Sequence, residues 1–315
     1  MSDSDIGEPR HQFDPRINLA FFIATVATVF WAGGSFWALT AESAKLPTLE
    51  RILSGWTFAV PLLAILLCHE FGHYIAARIH KVPASLPYFI PVPLFLGTFG
   101  AVITMPERIR SRNAVLDIGA AGPLAGLAVA IPVLCIGLSL SPVGPNPESG
   151  YWMEGQNLLY LLLKYLVHGP IPAGYDVHLH PTAAAGWAGL LLTMLNLIPF
   201  GQLDGGHIAY ALLGERHTLV SRYVHFGLLA LFVAHVLWFV VPVIGSTKTE
   251  IELAISNSTT WLVWFGLLSL MRWLQGGYQH PPTDDGQLSP VRRWVAWGTL
   301  VLFVTLFMPT PLTQH

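Results

Sequence analysis

Five consecutive residues, His69-Glu70-Phe71-Gly72-His73, carry the strongest chemical signal in the chain. On a helix, residues four apart share a face, so both imidazoles can reach one metal ion. Imidazole nitrogen suits Zn²⁺. Glu70 sits about 100° round the helix from His69, beside the ligand pair, where a carboxylate can take a proton from water held by the metal. A catalytic zinc usually takes three protein ligands and leaves one position open. Glu107 lies in the charged loop 106–112, where a solvated charge is the plainer reading. The better third ligand is Asp204, in Asn196-Leu-Ile-Pro199-Phe-Gly-Gln-Leu203-Asp204-Gly205-Gly206. Pro199 and Gly201 should break a helix there, and a carboxylate at such a break can face inward. Asp204 as a simple helix cap remains the alternative.

The elements that must position these residues are membrane helices. The chain has 315 residues, of which 53% are apolar and only 11% charged. A soluble domain carries about 25% charged residues, so a soluble enzyme and a disordered chain are both excluded. The formal net charge of −2 gives no basic footprint for nucleic acid, and no nucleotide-binding pattern stands out. Cys68 and Cys135 both fall in apolar stretches, which excludes a disulfide framework. Apolar runs at 17–40, 52–77, 114–140, 182–202, 224–244, 253–271 and 294–312 can each cross about 30 Å of hydrocarbon. The expected fold is therefore an all-α polytopic membrane protein with about seven transmembrane helices. The first run is longer than a signal-peptide core and is read as a retained span.

With the N-terminus on the cytoplasmic side, 12 Lys and Arg residues lie inside and 4 outside, which favours this orientation over its inverse. The run 52–77 and the run 182–202 then both descend toward the cytoplasm, so His69, His73 and Asp204 reach a similar depth. A chain organised this way has a cytoplasmic tail (1–16), a first span with its outer loop (17–51), a catalytic membrane core (52–221) and accessory spans (222–315).

Two segments depart from simple spans. Residues 86–105 contain Pro87, Pro91 and Pro93, which oppose a regular helix. The stretch 97–104 is rich in small and β-branched residues and predicts a small membrane-associated β or re-entrant segment. Such backbone must be buried in protein or line a wet cavity. Residues 156–167 are too short to span and predict a surface helix on the outer side.

The pairing of HEFGH with NLIPFGQLDGG resembles the site-2 protease family of intramembrane zinc metalloproteases. Asn196, Pro199, Leu203, Asp204 and Gly205 match the second motif residue by residue, and Gly119-Ala-Ala-Gly122-Pro-Leu-Ala-Gly126 is similar to the small-residue motif on the family's intervening helix. The gaps between motifs are too short for a PDZ domain, so the chain resembles a PDZ-less member. The resemblance implies one Zn²⁺ per chain held by His69, His73 and Asp204, with Glu70 as general base. It implies endopeptidase action on membrane-anchored proteins, in regulated intramembrane proteolysis. Asn196 would touch substrate backbone, or else make a polar helix contact. Residues 97–103, with Gly97, Thr98, Phe99 and Gly100 singled out, form a candidate strand edge for an extended substrate, or a structural hairpin that plugs the site.

The competing function is a catalytically silent metal-binding membrane protein, either a transporter or a chaperone-like pseudoprotease. Scarcity of ionisable residues in the other spans speaks against the first, and retention of Glu70 against the second. A prokaryotic plasma membrane is the expected location. Among weaker signals, Asp117 is expected to stabilise a helix N-terminus, and Asp176, His178 and His180 to form an outer surface loop. His207 is expected beside the ligands or at the interface, and His225 and His235 to pack within a span.

Overall fold

Helices form wherever the apolar runs permit, and their ends follow local chemistry. A computed structural model describes residues 14–40, 42–105, 108–147, 150–284 and 286–315. Glu107 and residues 1–13 of the tail therefore lie outside the described residues. Helix α1 (Pro15–Ala32) starts on Asp14, whose side chain accepts from the Arg16 N–H. It is followed by α2 (Thr48–Ser54) and α3 (Trp56–Ile79), which carries HEFGH. A hairpin of β1 (Tyr88–Pro91) and β2 (Thr98–Val102) comes next, then α4 (Arg112–Ser139), capped by Ser111. On the far side of α4 lie β3 (Val143–Pro145), β4 (Trp152–Glu154), α5 (Leu158–His168) and β5 (Tyr175–Val177). The chain returns through α6 (Pro181–Asn196) and α7 (Asp204–Leu213), and continues as α8 (His217–His235), α9 (Lys248–Ser258), α10 (Thr260–Leu274), α11 (Pro290–Leu306) and β6 (Leu312–Gln314).

Helix α4 is the centre of the molecule and packs against α3, α6 and α7. Small residues allow this. A side chain at Gly186 of α6 would sit 2.6 Å from Leu134 Cα of α4, so the two backbones touch. Trp187, Phe58, Leu62, Leu134 and Leu190 fill the core between these helices. By contrast Ile23, Trp238, Trp273 and Trp294 are exposed, an apolar exterior suited to lipid and not to water.

The expectation of seven spanning helices is not met by length. Among the described residues, four runs are long and apolar enough to cross a membrane: Pro15–Trp37, Trp56–Ile79, Arg112–Ser139 and Asp204–Val243. A fifth arises if α9 and α10, bent by 41°, act as one span. The expected span 182–202 is realised as α6, 16 residues long. Pro199 has no N–H to donate, and Gly201 adopts a left-handed φ of 52°, so the chain turns at 197–203 before α7 begins. The expected span 294–312 is realised as α11, 17 residues long, because the chain leaves helix at Phe307.

The expected surface helix 156–167 is α5, with Leu158, Leu162 and Leu166 exposed. Its inner face buries Lys164, which pairs with Asp176 and lies 3.5 Å from Glu154. Burial raises the Glu154 carboxyl above its ordinary value, against the pull of Lys164. Antiparallel pairs β3–β5 and β4–β6 finish this face, so the C-terminal strand lies on the same side as loop 141–181.

Candidate metal centre

Helical spacing sets the first two donors. His69 and His73 lie one turn apart on α3, and their Nε2 atoms face each other at 3.1 Å. Asp204 is the first residue of α7, where the turn at 197–203 delivers it. Its carboxylate does not cap the helix; Oδ2 lies 3.2 Å from His69 Nε2 and Oδ1 3.3 Å from His73 Nε2. All three side chains are largely shielded from solvent. Zinc bonds of about 2.0–2.1 Å in a tetrahedron place donors about 3.3–3.4 Å apart, and this triad fits that edge length. The tautomers fit as well. His73 Nδ1 donates to the Ile118 carbonyl at 2.7 Å, which leaves Nε2 bare for a cation. Among the described residues this is the one group of three arranged to hold a metal.

The stripe Gly119-x-x-Gly122-x-x-x-Gly126 on α4 makes room for these ligands. A Cβ at Gly122 would collide with His73 Nε2, and a Cβ at Gly126 would lie 3.1 Å from His69 Cβ. Gly122 and Gly126 thus pack against the imidazoles of the triad, while Gly119 faces His207 Cβ and the Asp204 backbone.

Glu70 is buried beside the triad and lines the same cavity of about 550 Å³. Asn196, the last residue of α6, brings its side-chain amide within 3.2 Å of His69 Nε2. The candidate edge 97–103 divides into a packed first half and a cavity-lining second half. Gly97 lies against the backbone of α1, Thr98 is buried with its hydroxyl donating to Ile90 O at 2.9 Å, Phe99 is exposed and Gly100 faces open space. Ala101, Val102 and Ile103, in the second half of that edge, line the cavity. The segment is a hairpin, with β1 against α1 and β2 toward α3.

His207 lines the cavity one turn after Asp204, as the i, i+3 spacing allows. His280, from the loop after α10, lines it too, and no local spacing links it to either motif. Asp117 does not act as a helix-end charge. It receives a bidentate pair from Arg292 of α11 at 2.6–2.9 Å and faces His80 Nε2 at 2.8 Å. His178 donates to the Pro145 carbonyl, and His180 caps α6. His225 is bonded to Tyr278 and Ser269, and His235 is buried against Phe239.

Similarity to known proteins agrees with this geometry. The probable zinc metalloprotease EGY1, chloroplastic, of Arabidopsis thaliana is 36% identical over 194 residues, 58% of this chain and 35% of that protein. The probable zinc metalloprotease EGY2, chloroplastic, of Oryza sativa subsp. indica is 33% identical over 186 residues, 58% of this chain and 34% of that one. The Arabidopsis thaliana EGY2 protein is 28% identical over 266 residues, 84% of this chain and 43% of its own length. The chain thus spans between a third and a half of the length of these relatives. The model of peptidase family M50 matches residues 57–239, which include His69, Glu70, His73 and the Asn196–Asp204 motif. The chain belongs to peptidase family M50.

Proposed function

We propose that this protein is a zinc-dependent endopeptidase that hydrolyses peptide bonds in or near the membrane-spanning segments of anchored proteins. The observation that carries this reading is the convergence of His69, His73 and Asp204 with Glu70 on one cavity. When bound, zinc supplies a Lewis acid that lowers the pKa of water toward about 7 and polarises a carbonyl. His69, His73 and Asp204 would hold it, and Glu70 would take a proton from the attacking water and return it to the leaving amine. Asn196 offers its amide to the substrate backbone or the developing oxyanion. An extended segment pairs with the outer edge of β2, which frees the peptide bonds that a helix would hide in its own hydrogen bonds. Water reaches the cavity past Gln202 and Leu203 in the turn before Asp204.

The same reading orders the membrane crossings. Seven crossings result if the short helices α6 and α11 cross and α9 with α10 forms one bent crossing. The pairing of β4 with β6 supports this, since it requires loop 141–181 and the C-terminal strand to share a side. The relatives are named as chloroplastic, so the comparisons lend no support to the prokaryotic plasma membrane expected from the sequence. A lipid bilayer is what the exposed apolar helices call for.

Glu70→Gln tests the reading directly. Purified protein reconstituted with a single-span substrate should keep about one zinc per chain and lose cleavage by about 10²–10⁴-fold. Undiminished cleavage by this variant would remove Glu70 from the chemistry.

A further inference from the structure

The loop between α10 and α11 reaches back over the metal centre, although it lies outside the family-matched residues 57–239. Within it, His280 and Pro281 line the same cavity as the zinc-ligand triad. Several contacts hold this strap in place. The Thr283 N–H donates to the Tyr210 hydroxyl at 3.0 Å, the Asp284 N–H donates to the Arg110 carbonyl at 2.8 Å, and the Asp284 carboxylate pairs with Arg108 at 3.2 Å. The His280 ring stacks on Tyr210 with centroids 4.1 Å apart and planes 11° apart. With 9% of its surface exposed, the imidazole is fixed.

Each ring nitrogen of His280 then has one role. Nδ1 lies 2.7 Å from the Pro281 carbonyl, which only accepts, so Nδ1 carries the proton. Burial holds His280 below its ordinary value, so the ring is neutral near pH 7 and Nε2 keeps a lone pair. That lone pair faces His207 Nδ1 at 2.6 Å, so His207 must donate from Nδ1. A neutral His207 is left with its lone pair on Nε2.

We propose that His280 is a positioning residue: it locks His207 in the Nδ1–H tautomer, so that His207 Nε2 is a fixed acceptor in the active-site cavity for a backbone N–H of an extended peptide. This rests on the peptidase reading above. Residues 101–103 at the end of β2 and His207 both border the cavity, so a peptide paired along the strand edge has one further N–H partner within it. Asp204 and His207 stand on one face of α7, which couples the acceptor to the metal ligand by one helical turn.

Two measurements test it. In zinc-loaded protein with ¹⁵N-labelled histidine, side-chain ¹⁵N spectra report each tautomer, and His207→Gln assigns the His207 signal. His207 should be Nδ1–H in the wild type and in His280→Gln, whose amide oxygen can take the place of Nε2. It should lose that preference in His280→Leu. An Nε2–H tautomer in the wild type, or an unchanged tautomer in His280→Leu, overturns the proposal. In cleavage of a single-span peptide, His280→Leu should raise KM about ten-fold with kcat and zinc content unchanged, and His280→Gln should restore KM. An unaltered KM in the leucine variant, or no rescue by glutamine, also overturns it. If the wild type cleaves no peptide, the peptidase reading and the acceptor role fall together, while the spectra still decide whether the tautomer is locked.

Discussion

A single methyl group added at Gly122 would occupy the space of His73 Nε2, and that ties this glycine to the proposed metal centre. Gly122→Ala should weaken zinc binding by about 10–100-fold while the helix itself survives, since overpacking here moves the ligand before it breaks the bundle. Competitive chelator titration measures the affinity, and circular dichroism checks the helix. Asp204→Ala in the same assay should lower zinc occupancy; full occupancy would return Asp204 to the role of a helix-start residue. The geometry of His69 and His73 was legible in the sequence because helical periodicity alone places residues four apart on one face. Asp204 was legible because Pro199 and the glycines announce a break. Asp117 was misread because its partner Arg292 lies 175 residues away, and His280 was missed for the same reason: no local pattern encodes a contact closed by the fold.

The β1–β2 hairpin depends on α1. Three side-chain donors on that helix and the turn after it hold the hairpin's carbonyls: Asn18 Nδ2 to Leu86 O at 2.7 Å, Thr28 Oγ1 to Gly97 O at 2.6 Å, and Trp37 Nε1 to Phe95 O at 2.8 Å. Gly97, at φ 80°, lies so close to the α1 backbone that no side chain fits. Removing two donors in Asn18→Leu with Thr28→Val should strip those carbonyls of their α1 partners, leaving Leu86 O with Ser85 Oγ and Gly97 O with the Val92 N–H, at a cost of about 0.5–1.5 kcal/mol each. Amide exchange across 88–102 should speed up, and KM should rise several-fold with zinc content unchanged. Unchanged exchange would mean that α1 does not hold the hairpin. Prolines at 87, 91 and 93 correctly argued against helix, and the small and β-branched run indicated a strand. Its partner was hidden, because β1 ends on Pro91 and proline is tolerated at strand edges and irregularities of this kind.

The whole molecule separates its charges by side. The Arg108–Asp284 pair, the Asp117–Arg292–His80 cluster and the Arg112 donor to the Ala211 carbonyl gather at the end that holds the metal centre. Lys164, Glu154 and Asp176 gather at the other, under the short β pairs. This arrangement predicts sidedness. After Cys68 and Cys135 are replaced, an impermeant thiol reagent should reach Ala173→Cys and Glu215→Cys from opposite faces of sealed vesicles. Labelling of both from one face would refute the crossing order. Helix content was legible from hydropathy, whereas the number of full-length helices was not. Hydropathy counts apolar residues, whereas the length of α6 is set by the turn at 197–203, which ends it at Asn196.

The active-site cavity draws on chain that flanks the family core on both sides. Helix α1 fastens one wall and the strap carrying His280 forms another, yet neither lies within residues 57–239. The core is therefore not an interchangeable cassette. A chimera that exchanged it between members of the family would carry over the His69–His73–Asp204 triad but take the Thr28 hydroxyl from the Gly97 carbonyl and His280 from the His207 ring, unless Thr28 and His280 travelled with it.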